Sequence, residues 1–238
     1  MKKLILSILV ILCLSFQANA LGPMMLLSGG GVCSKNDTFT GSNGDPPNAT
    51  LWTESDSDTV MDIQSNKLNF ADTGTAARDS RATSIWYFPA NTNFDITLDF
   101  DYTTLDAPES DWNRVSIYLM DSTSPTIYTY LVAGVNTTTL DYYVDGTATT
   151  YTSVDDGTPT SGKLRMTQTG CPGACVITSY YWDTTQWEWN GSTDGFTHAE
   201  DFTDESIYVR IRFVKIVSVG STAMDINVDN FTIVSGCP

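Results

Sequence analysis

The sequence has 238 residues, with 28 acidic side chains against 12 basic ones and a formal net charge of −16. A chain this acidic repels phosphate backbones, which excludes nucleic acid as an expected partner. The part that follows the leader described next suits one large all-β domain or two small ones.

The first 20 residues have the pattern of an export signal. Lys2 and Lys3 form a short basic region, and the apolar run Leu4–Phe16 that follows is too short to span a bilayer. Ala18 and Ala20 frame a small-x-small cleavage site. We therefore predict a signal peptide at residues 1–20, cleavage after Ala20, and a secreted, extracellular protein that is not embedded in a membrane.

Two segments follow the leader. Residues 21–32 are apolar and then glycine-rich, which predicts a flexible lead-in, and the Met-Met-Leu-Leu sequence at 24–27 could dock on a partner. Residues 33–238 show no amphipathic helix, internal repeat or change in composition. This stretch is predicted to be one domain.

Short alternating runs of apolar and polar residues predict β-strands. In residues 93–102 the side chains of Phe94, Ile96, Leu98, Phe100 and Tyr102 share one face, as in a half-buried antiparallel strand. Similar runs occupy residues 114–120, 126–132, 139–144, 162–167, 176–182, 207–214 and 225–234, the last with a shift before Phe231 and Ile233. Ten to twelve such strands predict an all-β fold, a two-sheet antiparallel β-sandwich.

Four cysteines follow the leader: Cys33, Cys171, Cys175 and Cys237. An exported chain permits disulfides, and four cysteines allow three pairings. The Pro-Gly turn between Cys171 and Cys175 favours a local bridge, which leaves Cys33 with Cys237 to join the ends of the domain. Because the loop closed by Cys33–Cys237 is so long, that bridge would stabilise the fold by roughly 5 kcal/mol at best. A zinc site at C-x3-C is disfavoured because His198 is the only histidine.

Several pieces of the sequence, in this order and spacing, resemble one known superfamily. They are Asp37–Gly41, Leu51–Trp52, Ile63–Leu68, Gly162–Met166, Tyr180–Trp182 with Trp187, and Val228–Phe231. Together they resemble the concanavalin A-like lectin/glucanase superfamily in its laminin G-like jelly-roll form. The resemblance implies two curved antiparallel sheets of six or seven strands, with the two ends of the chain side by side.

Catalytic members of this superfamily carry a Glu-x-Asp-x-x-Glu strand, whose outer glutamates act as nucleophile and acid. Two segments of this chain come near the pattern. Glu54–Thr59 ends in threonine and Glu109–Arg114 ends in arginine, where the motif has its last glutamate. Neither lies in an apolar strand that would raise a carboxyl pKa, so a glycoside hydrolase is the weakest of the functions considered.

The hairpin Tyr180–Gly191 contains five aromatic residues. Aromatic rings stack on sugar rings, and they also fill the core of a sandwich. The resemblance favours a core position for Trp187 and Trp189. We predict that Tyr181 and Trp182, near the turn, contact carbohydrate together with Trp112.

Calcium is a candidate cofactor because acidic residues are frequent and the superfamily holds calcium near the ends of its domains. Asp37 and Asp229 could meet if the terminal strands are neighbours, and Asp155–Gly157 forms a second acidic turn. Turn aspartates exposed to solvent are the competing interpretation of both segments.

Three functions follow from these observations. The first is an exported, non-catalytic carbohydrate-binding or adhesion domain, with a glycan or cell-surface polysaccharide as partner. The second is a structural surface or particle component that uses the sandwich for protein–protein assembly, with a homo-oligomer left open. The third is the glycoside hydrolase.

Overall fold

Two antiparallel sheets make up the described part of the computed structural model, which covers residues 32–56, 60–74, 76–105, 113–136, 139–157, 159–215 and 223–236. The predicted signal peptide and the lead-in up to residue 31 lie outside these residues. None of the described residues belongs to a helix long and apolar enough to cross a membrane.

The first sheet has nine strands. Seven are successive neighbours, in the spatial order β13 (Trp187–Glu188), β12 (Val176–Trp182), β11 (Ser161–Thr169), β6 (Phe94–Leu105), β16 (Met224–Gly236), β4 (Lys67–Asp72) and β3 (Met61–Gln64). The short strands β1 (Val32–Ser34) and β14 (Phe196–Thr197) pair with β16 and β12. The pairing of β1 with β16 places the first and last described strands side by side, as the resemblance implied.

The second sheet has seven strands. Their spatial order is β10 (Thr152–Asp155), β9 (Thr139–Gly146), β8 (Tyr128–Asn136), β7 (Asn113–Met120), β15 (Ile207–Lys215), β5 (Arg78–Phe88) and β2 (Trp52–Ser55). The two sheets confirm the predicted all-β antiparallel sandwich. The described residues contain more strands than the ten to twelve predicted, because several additional strands have only two to four residues.

Strand alternation supplies the core between the two sheets. The predicted inward residues of β6 are all at most 4% exposed: Phe94, Ile96, Leu98, Phe100 and Tyr102. In β16, Asn230 adopts a φ of 48° and the register against β6 shifts between Asp229 and Thr232. This bulge turns Phe231 and Ile233 into the core, which confirms the predicted shift.

Aromatic pairs join the two sheets across the core. Phe70 on β4 stacks on Phe213 of β15 with ring centroids 5.5 Å apart, and Tyr142 on β9 stacks on Tyr181 of β12 at 4.3 Å. Each such pair contributes about 1 kcal/mol beyond the area it buries. These aromatic side chains therefore stabilise the core of the sandwich and are not available to a ligand.

The predicted local disulfide is confirmed, since Cys171 and Cys175 are bonded with their Cα atoms 4.8 Å apart. The second predicted bridge, Cys33–Cys237, stays a prediction because Cys237 lies outside the described residues. Cys33 stands opposite Ser235 in the β1–β16 pair, so the backbone near the two ends has the proximity that this bridge requires.

Candidate functional site

The outer face of the seven-stranded sheet carries four of the chain's 12 basic residues. They are Arg81 on β5, Arg114 on β7, and Arg210 and Arg212 on β15. Alternate residues of these strands are apolar and fill the core, so the arginines between them point outward. Because β7, β15 and β5 are neighbours, the four side chains gather in one region.

Tyrosines continue this region across β7, β8 and β9. Arg210 stands opposite Tyr118, and Tyr118 stands opposite Tyr130, so one row crosses three strands. The rings of Tyr118 and Tyr130 stack with centroids 4.4 Å apart, and Tyr128 lies parallel to Tyr130 at 6.2 Å. Tyr143 on β9 completes the group. We call these four arginines and four tyrosines the tyrosine–arginine face.

A groove with two parts runs over the tyrosine–arginine face. The larger part, about 280 Å³, is lined by Arg81, Arg114, Tyr118, Pro125, Tyr128, Tyr130, Arg210 and Arg212. The smaller part, about 230 Å³, is lined by Arg114, Tyr130, Tyr143, Asp145 and Tyr151. Arg114 and Tyr130 belong to both parts, which makes the groove continuous.

Hydrogen bonds to phenol oxygens fix two of the guanidinium groups. Arg212 Nη1 donates to Tyr118 Oη at 2.6 Å, and its guanidinium also lies over the Tyr118 ring at 5.3 Å. Arg114 Nη1 donates to Tyr143 Oη at 2.6 Å. These contacts hold both side chains against the sheet before any ligand arrives, so binding would cost less side-chain entropy.

Asp79 on β5 is the acidic partner of this region. Its carboxylate accepts two hydrogen bonds from Arg212, each 2.8 Å long, and it also pairs with Arg81. Burial alone would raise the pKa of Asp79, but the hydrogen bonds and charges of Arg212 and Arg81 outweigh it and lower that pKa. Asp79 is therefore ionised and compensates part of the positive charge.

Tyr118, Tyr130 and Tyr143 are neutral hydrogen-bonding groups, because burial raises the pKa of each. Burial, followed by the neighbouring Tyr118, raises the pKa of Tyr130 far above its ordinary value, and burial also raises the pKa of Tyr143. Tyr130 Oη donates to Asp145 Oδ2 at 3.0 Å. A groove of neutral aromatic rings between planar, oriented donors has the composition of a site for rings that carry polar substituents.

Of the residues predicted to contact carbohydrate, Tyr181 belongs to the core. Its side chain is 4% exposed, its ring stacks on Tyr142, and its hydroxyl donates to Glu188 Oε1 at 3.1 Å. The expectation that this ring faces a ligand is therefore wrong. Alternation explains the error: Tyr181 shares its face with the buried Ile177, whereas Trp182 points to the other side.

Trp182 lines a cleft of about 430 Å³ on the outer face of the nine-stranded sheet. Asp229, the predicted calcium ligand, lines the same cleft. The charges on its floor are largely paired, since Lys163 Nζ lies 3.1 Å from Asp99 Oδ2 and Asn230 Nδ2 donates to the same oxygen at 3.1 Å. The cleft offers one aromatic wall and a floor whose polar groups already bind one another.

The other tryptophans considered as core residues or carbohydrate contacts are Trp187, Trp189 and Trp112, and they do not lie in the same part of the structure. Trp189 is 6% exposed and packs in the core, as expected. Trp187 instead lies on the outer face, where it contacts Trp182 edge-on at 5.3 Å and the guanidinium of Arg165 at 5.7 Å. Trp112, the third predicted carbohydrate contact, lies outside the described residues and stays a prediction.

The structure gives Asp37 a role in the fold. Asp37 accepts hydrogen bonds from the backbone N of Phe39 at 2.7 Å and from Trp52 Nε1 at 2.8 Å, and its backbone pairs with Phe231. The strands near Asp37 and Asp229 are thus neighbours, but the carboxylate of Asp37 is occupied by these donors. Among the described residues, no group of three or more His, Cys, Asp or Glu side chains is arranged to hold a metal. Calcium binding stays a prediction.

The acidic segments considered for catalysis are only partly described. Glu54 lies on the edge strand β2, and partial burial together with the charges of Asp56 and Asp62 raises its pKa. The expectation was that Glu54 lies in no apolar strand that would raise its pKa, but burial on β2, the adjacent Asp56 and the more distant Asp62 raise it. Residues 109–112 of the second segment lie outside the described residues.

Comparisons with known proteins show which solved structures share this fold. No family model and no curated protein matches the sequence. Solved structures do match over nearly their whole lengths, and the matches include glucanases and legume lectins, so the chain has the concanavalin A-like jelly-roll fold.

Three of these structures illustrate the likeness. The endo-1,3-β-glucanase from Streptomyces sioyaensis has a TM-score of 0.62 at 10% identity, over 89% of this chain and 99% of that chain. Winged bean acidic lectin, complexed with methyl-α-D-galactose, has a TM-score of 0.59 at 9% identity. The match covers 87% of this chain and 99% of the lectin chain. An immunostimulatory antigen and pseudo β-1,3-glucanase of Mycobacterium tuberculosis has a TM-score of 0.54 at 15% identity. The match covers 88% of this chain and 100% of that chain.

Proposed function

We propose that this protein is an exported, non-catalytic carbohydrate-binding domain whose ligand lies along the tyrosine–arginine face. The observation that carries the proposal is the groove over Tyr128 and Tyr130, where half-buried tyrosine rings lie beside arginines held in place by hydrogen bonds. Aromatic rings stack on the apolar faces of sugars, and guanidinium groups donate to their oxygens in a fixed geometry.

The structural neighbours support a carbohydrate ligand. One is a lectin complexed with a galactoside, and others are named for β-1,3-glucan hydrolysis or as a pseudo-enzyme of that kind. Their identity to this chain is at most 15%, so they support the class of ligand and not a particular sugar. Export rests on the sequence pattern of the leader, and a role in adhesion stays a prediction.

Replacing Tyr130 with alanine should weaken glycan binding at least about tenfold, which corresponds to about 1.4 kcal/mol. The reason is that Tyr130 lines both parts of the groove. Affinity electrophoresis through gels that contain a panel of polysaccharides measures the change.

Tyr87→Ala is the matched control. Tyr87 is 48% exposed on the same sheet, beside Tyr208 and away from the groove lining, so this variant should bind as the wild type does. Trp182→Ala and Trp112→Ala test the two other predicted rings. If Trp182→Ala abolishes binding and Tyr130→Ala does not, the ligand lies in the Trp182 cleft and the proposed site is wrong.

The hydrolase hypothesis is tested separately, by assaying the release of reducing ends. Neither Glu54–Thr59 nor Glu109–Arg114 contains the second outer glutamate of the glycanase motif. We therefore expect no release of reducing ends from any polysaccharide that the protein binds. Release that disappears in Glu54→Gln would restore the hydrolase hypothesis and would identify Glu54, with its raised pKa, as one of its acids.

The assembly hypothesis depends on residues 21–32, nearly all of which lie outside the described residues. It stays a prediction, as does a homo-oligomer. Light scattering after size-exclusion chromatography, with and without residues 21–32, distinguishes it from the carbohydrate hypothesis, because only assembly requires a larger particle that depends on this segment.

A further inference from the structure

The charge of the tyrosine–arginine face is opposite to that of the rest of the molecule. Four arginines lie close together in a chain whose formal net charge is −16. Two of them, Arg81 and Arg212, share the carboxylate of Asp79. Within the described residues, Arg114 and Arg210 have no carboxylate within salt-bridge distance, although Asp145 lines the groove beside Arg114 and the charge of Asp79 acts on Arg210. Neither arginine therefore has an ion-pair partner in the described part of the groove.

Arg210 shows the consequence of this crowding. Its Nε donates to Thr83 Oγ1 at 2.9 Å and its Nη2 donates to the carbonyl of Thr123 at 3.2 Å, so both of these hydrogen bonds go to neutral oxygens. Burial, followed by the charges of Arg81 and Arg212, lowers the pKa of Arg210. An anion bound in the groove would relieve this repulsion.

The geometry of the arginines suits an oxyanion. A guanidinium has five N–H donors, and the described residues occupy one on Arg114 and two on Arg210. The donors that remain can form paired bonds to a carboxylate or a sulfate, which are stronger than bonds to neutral oxygens. Tyr128 and Tyr130 line the groove together with these two arginines.

We propose that the tyrosine–arginine groove binds an acidic polysaccharide, with Arg114 and Arg210 contacting its carboxylate or sulfate groups and Tyr128 and Tyr130 contacting its sugar rings. This inference rests on the proposed function and specifies its ligand class. A nucleic acid duplex is disfavoured because it carries about one negative charge per 1.7 Å of its axis, which would place many phosphates against a molecule whose formal net charge is −16. An acidic sugar chain carries its charges farther apart, and the two arginines without ion-pair partners can bind one or two of them.

The test compares polymers that share a backbone and differ in charge. Polygalacturonate is compared with its fully methyl-esterified form, and κ-carrageenan with its desulfated form, by isothermal titration at several salt concentrations. We expect at least one charged polymer to bind at least tenfold more tightly than its neutral counterpart, with affinity that falls as salt rises. The first pair reports carboxylate recognition and the second reports sulfate recognition.

The double variant Arg114→Gln, Arg210→Gln should lose at least tenfold in affinity for the preferred charged polymer. Its matched control is Lys35→Gln, Lys163→Gln, which removes the same charge: Lys35 is exposed and Lys163 lies on the other sheet. The control should bind as the wild type does. If the glutamine variant fails to fold, Arg114→Lys, Arg210→Lys keeps both charges but loses the paired donors, and it should bind severalfold more weakly than the wild type.

Each contrary result has a distinct meaning. Equal binding to charged and neutral members of both pairs overturns this inference and leaves the proposed function standing. Absence of binding to all four polymers and to a wider neutral panel overturns both. Binding of a 20-nucleotide single strand as tight as that of the best polysaccharide also overturns the inference, since it would show a general polyanion site.

Discussion

Replacing Lys215 with methionine should lower the free energy of unfolding by about 3–5 kcal/mol. The Lys215 side chain is fully buried at the end of β15, where its ammonium donates to Asp72 Oδ2 at 3.0 Å, to the Asp72 carbonyl at 3.1 Å and to the Gly74 carbonyl. Methionine fills a similar volume but leaves the buried carboxylate of Asp72 with less compensation. Urea unfolding at pH 7 measures the loss.

The double variant Lys215→Met, Asp72→Asn is the control for this charge effect. Burial raises the pKa of Asp72, whereas the Gly74 amide and Lys215 lower it further than burial raises it, so the carboxylate is ionised in the fold. Removing both charges together should recover at least about 1 kcal/mol relative to Lys215→Met alone. A double variant that is no more stable than the single one would show that the loss comes from packing and not from the ion pair.

Lowering the pH from about 6.5 to about 4 should remove about 3 kcal/mol of stability through His198 alone. Burial lowers the pKa of His198 from 6.5 to about 4, with the nearby Glu200 acting in the opposite direction. The folded protein therefore keeps the imidazole neutral while the unfolded chain takes up a proton below pH 6.5. The stability from this group is present above pH 6.5 and is lost as the pH falls through that window.

The surroundings of His198 explain why it stays neutral. Its two ring nitrogens lie 2.6 Å from the hydroxyls of Thr129 and Ser179, on strands of the two different sheets. Glu200 accepts hydrogen bonds from the backbone N of Ala148 and Thr149, at 2.8 and 2.7 Å, and these donors stabilise its charge. Each imidazole nitrogen thus has a hydroxyl partner, whereas the carboxylate of Glu200, 3.8 Å from Nδ1, is already stabilised by other donors.

His198→Gln is the matched variant for the pH effect. It carries the same carboxylates as the wild type, so the difference between the two stability curves isolates the histidine. The variant should be less stable at pH 7, where a hydroxyl loses its partner, and should show a flatter curve between pH 6.5 and 5. Because the chain has one histidine, its imidazole proton resonances report the folded pKa directly, and a value near 6.5 would contradict the prediction.

The longer strands were predictable because their alternation is regular. The run at residues 93–102 became β6, 207–214 became β15, and 225–234 became β16 with its shift. Strand β5 escaped prediction because a bulge opposite Tyr208 and Arg210 breaks its alternation, so polar and apolar residues no longer fall on opposite sides in turn. The strands of two to four residues are too short for a period to show.

The tyrosine–arginine face was visible in the sequence only in pieces. Arg114 and Tyr118, like Arg210 and Arg212, occupy the outward positions of strands whose inward residues had already been assigned to the core. The sequence does not show that β15 pairs with β7 and β5, which brings together arginines separated by more than 90 positions. The sequence instead favoured the aromatic hairpin Tyr180–Gly191 as the binding site. Of its two predicted carbohydrate contacts, Tyr181 lies in the core and only Trp182 lies on the outer face.

The pairing of β1 with β16 has a practical consequence for how this protein can be handled. Both of these strands belong to the nine-stranded sheet, whereas the groove lies on the outer surface of the other layer. A fusion partner or sensor-chip linkage joined before Val32 or after Gly236 would thus leave from the layer opposite the groove. A molecule immobilised through either end should keep the groove open to large polymers.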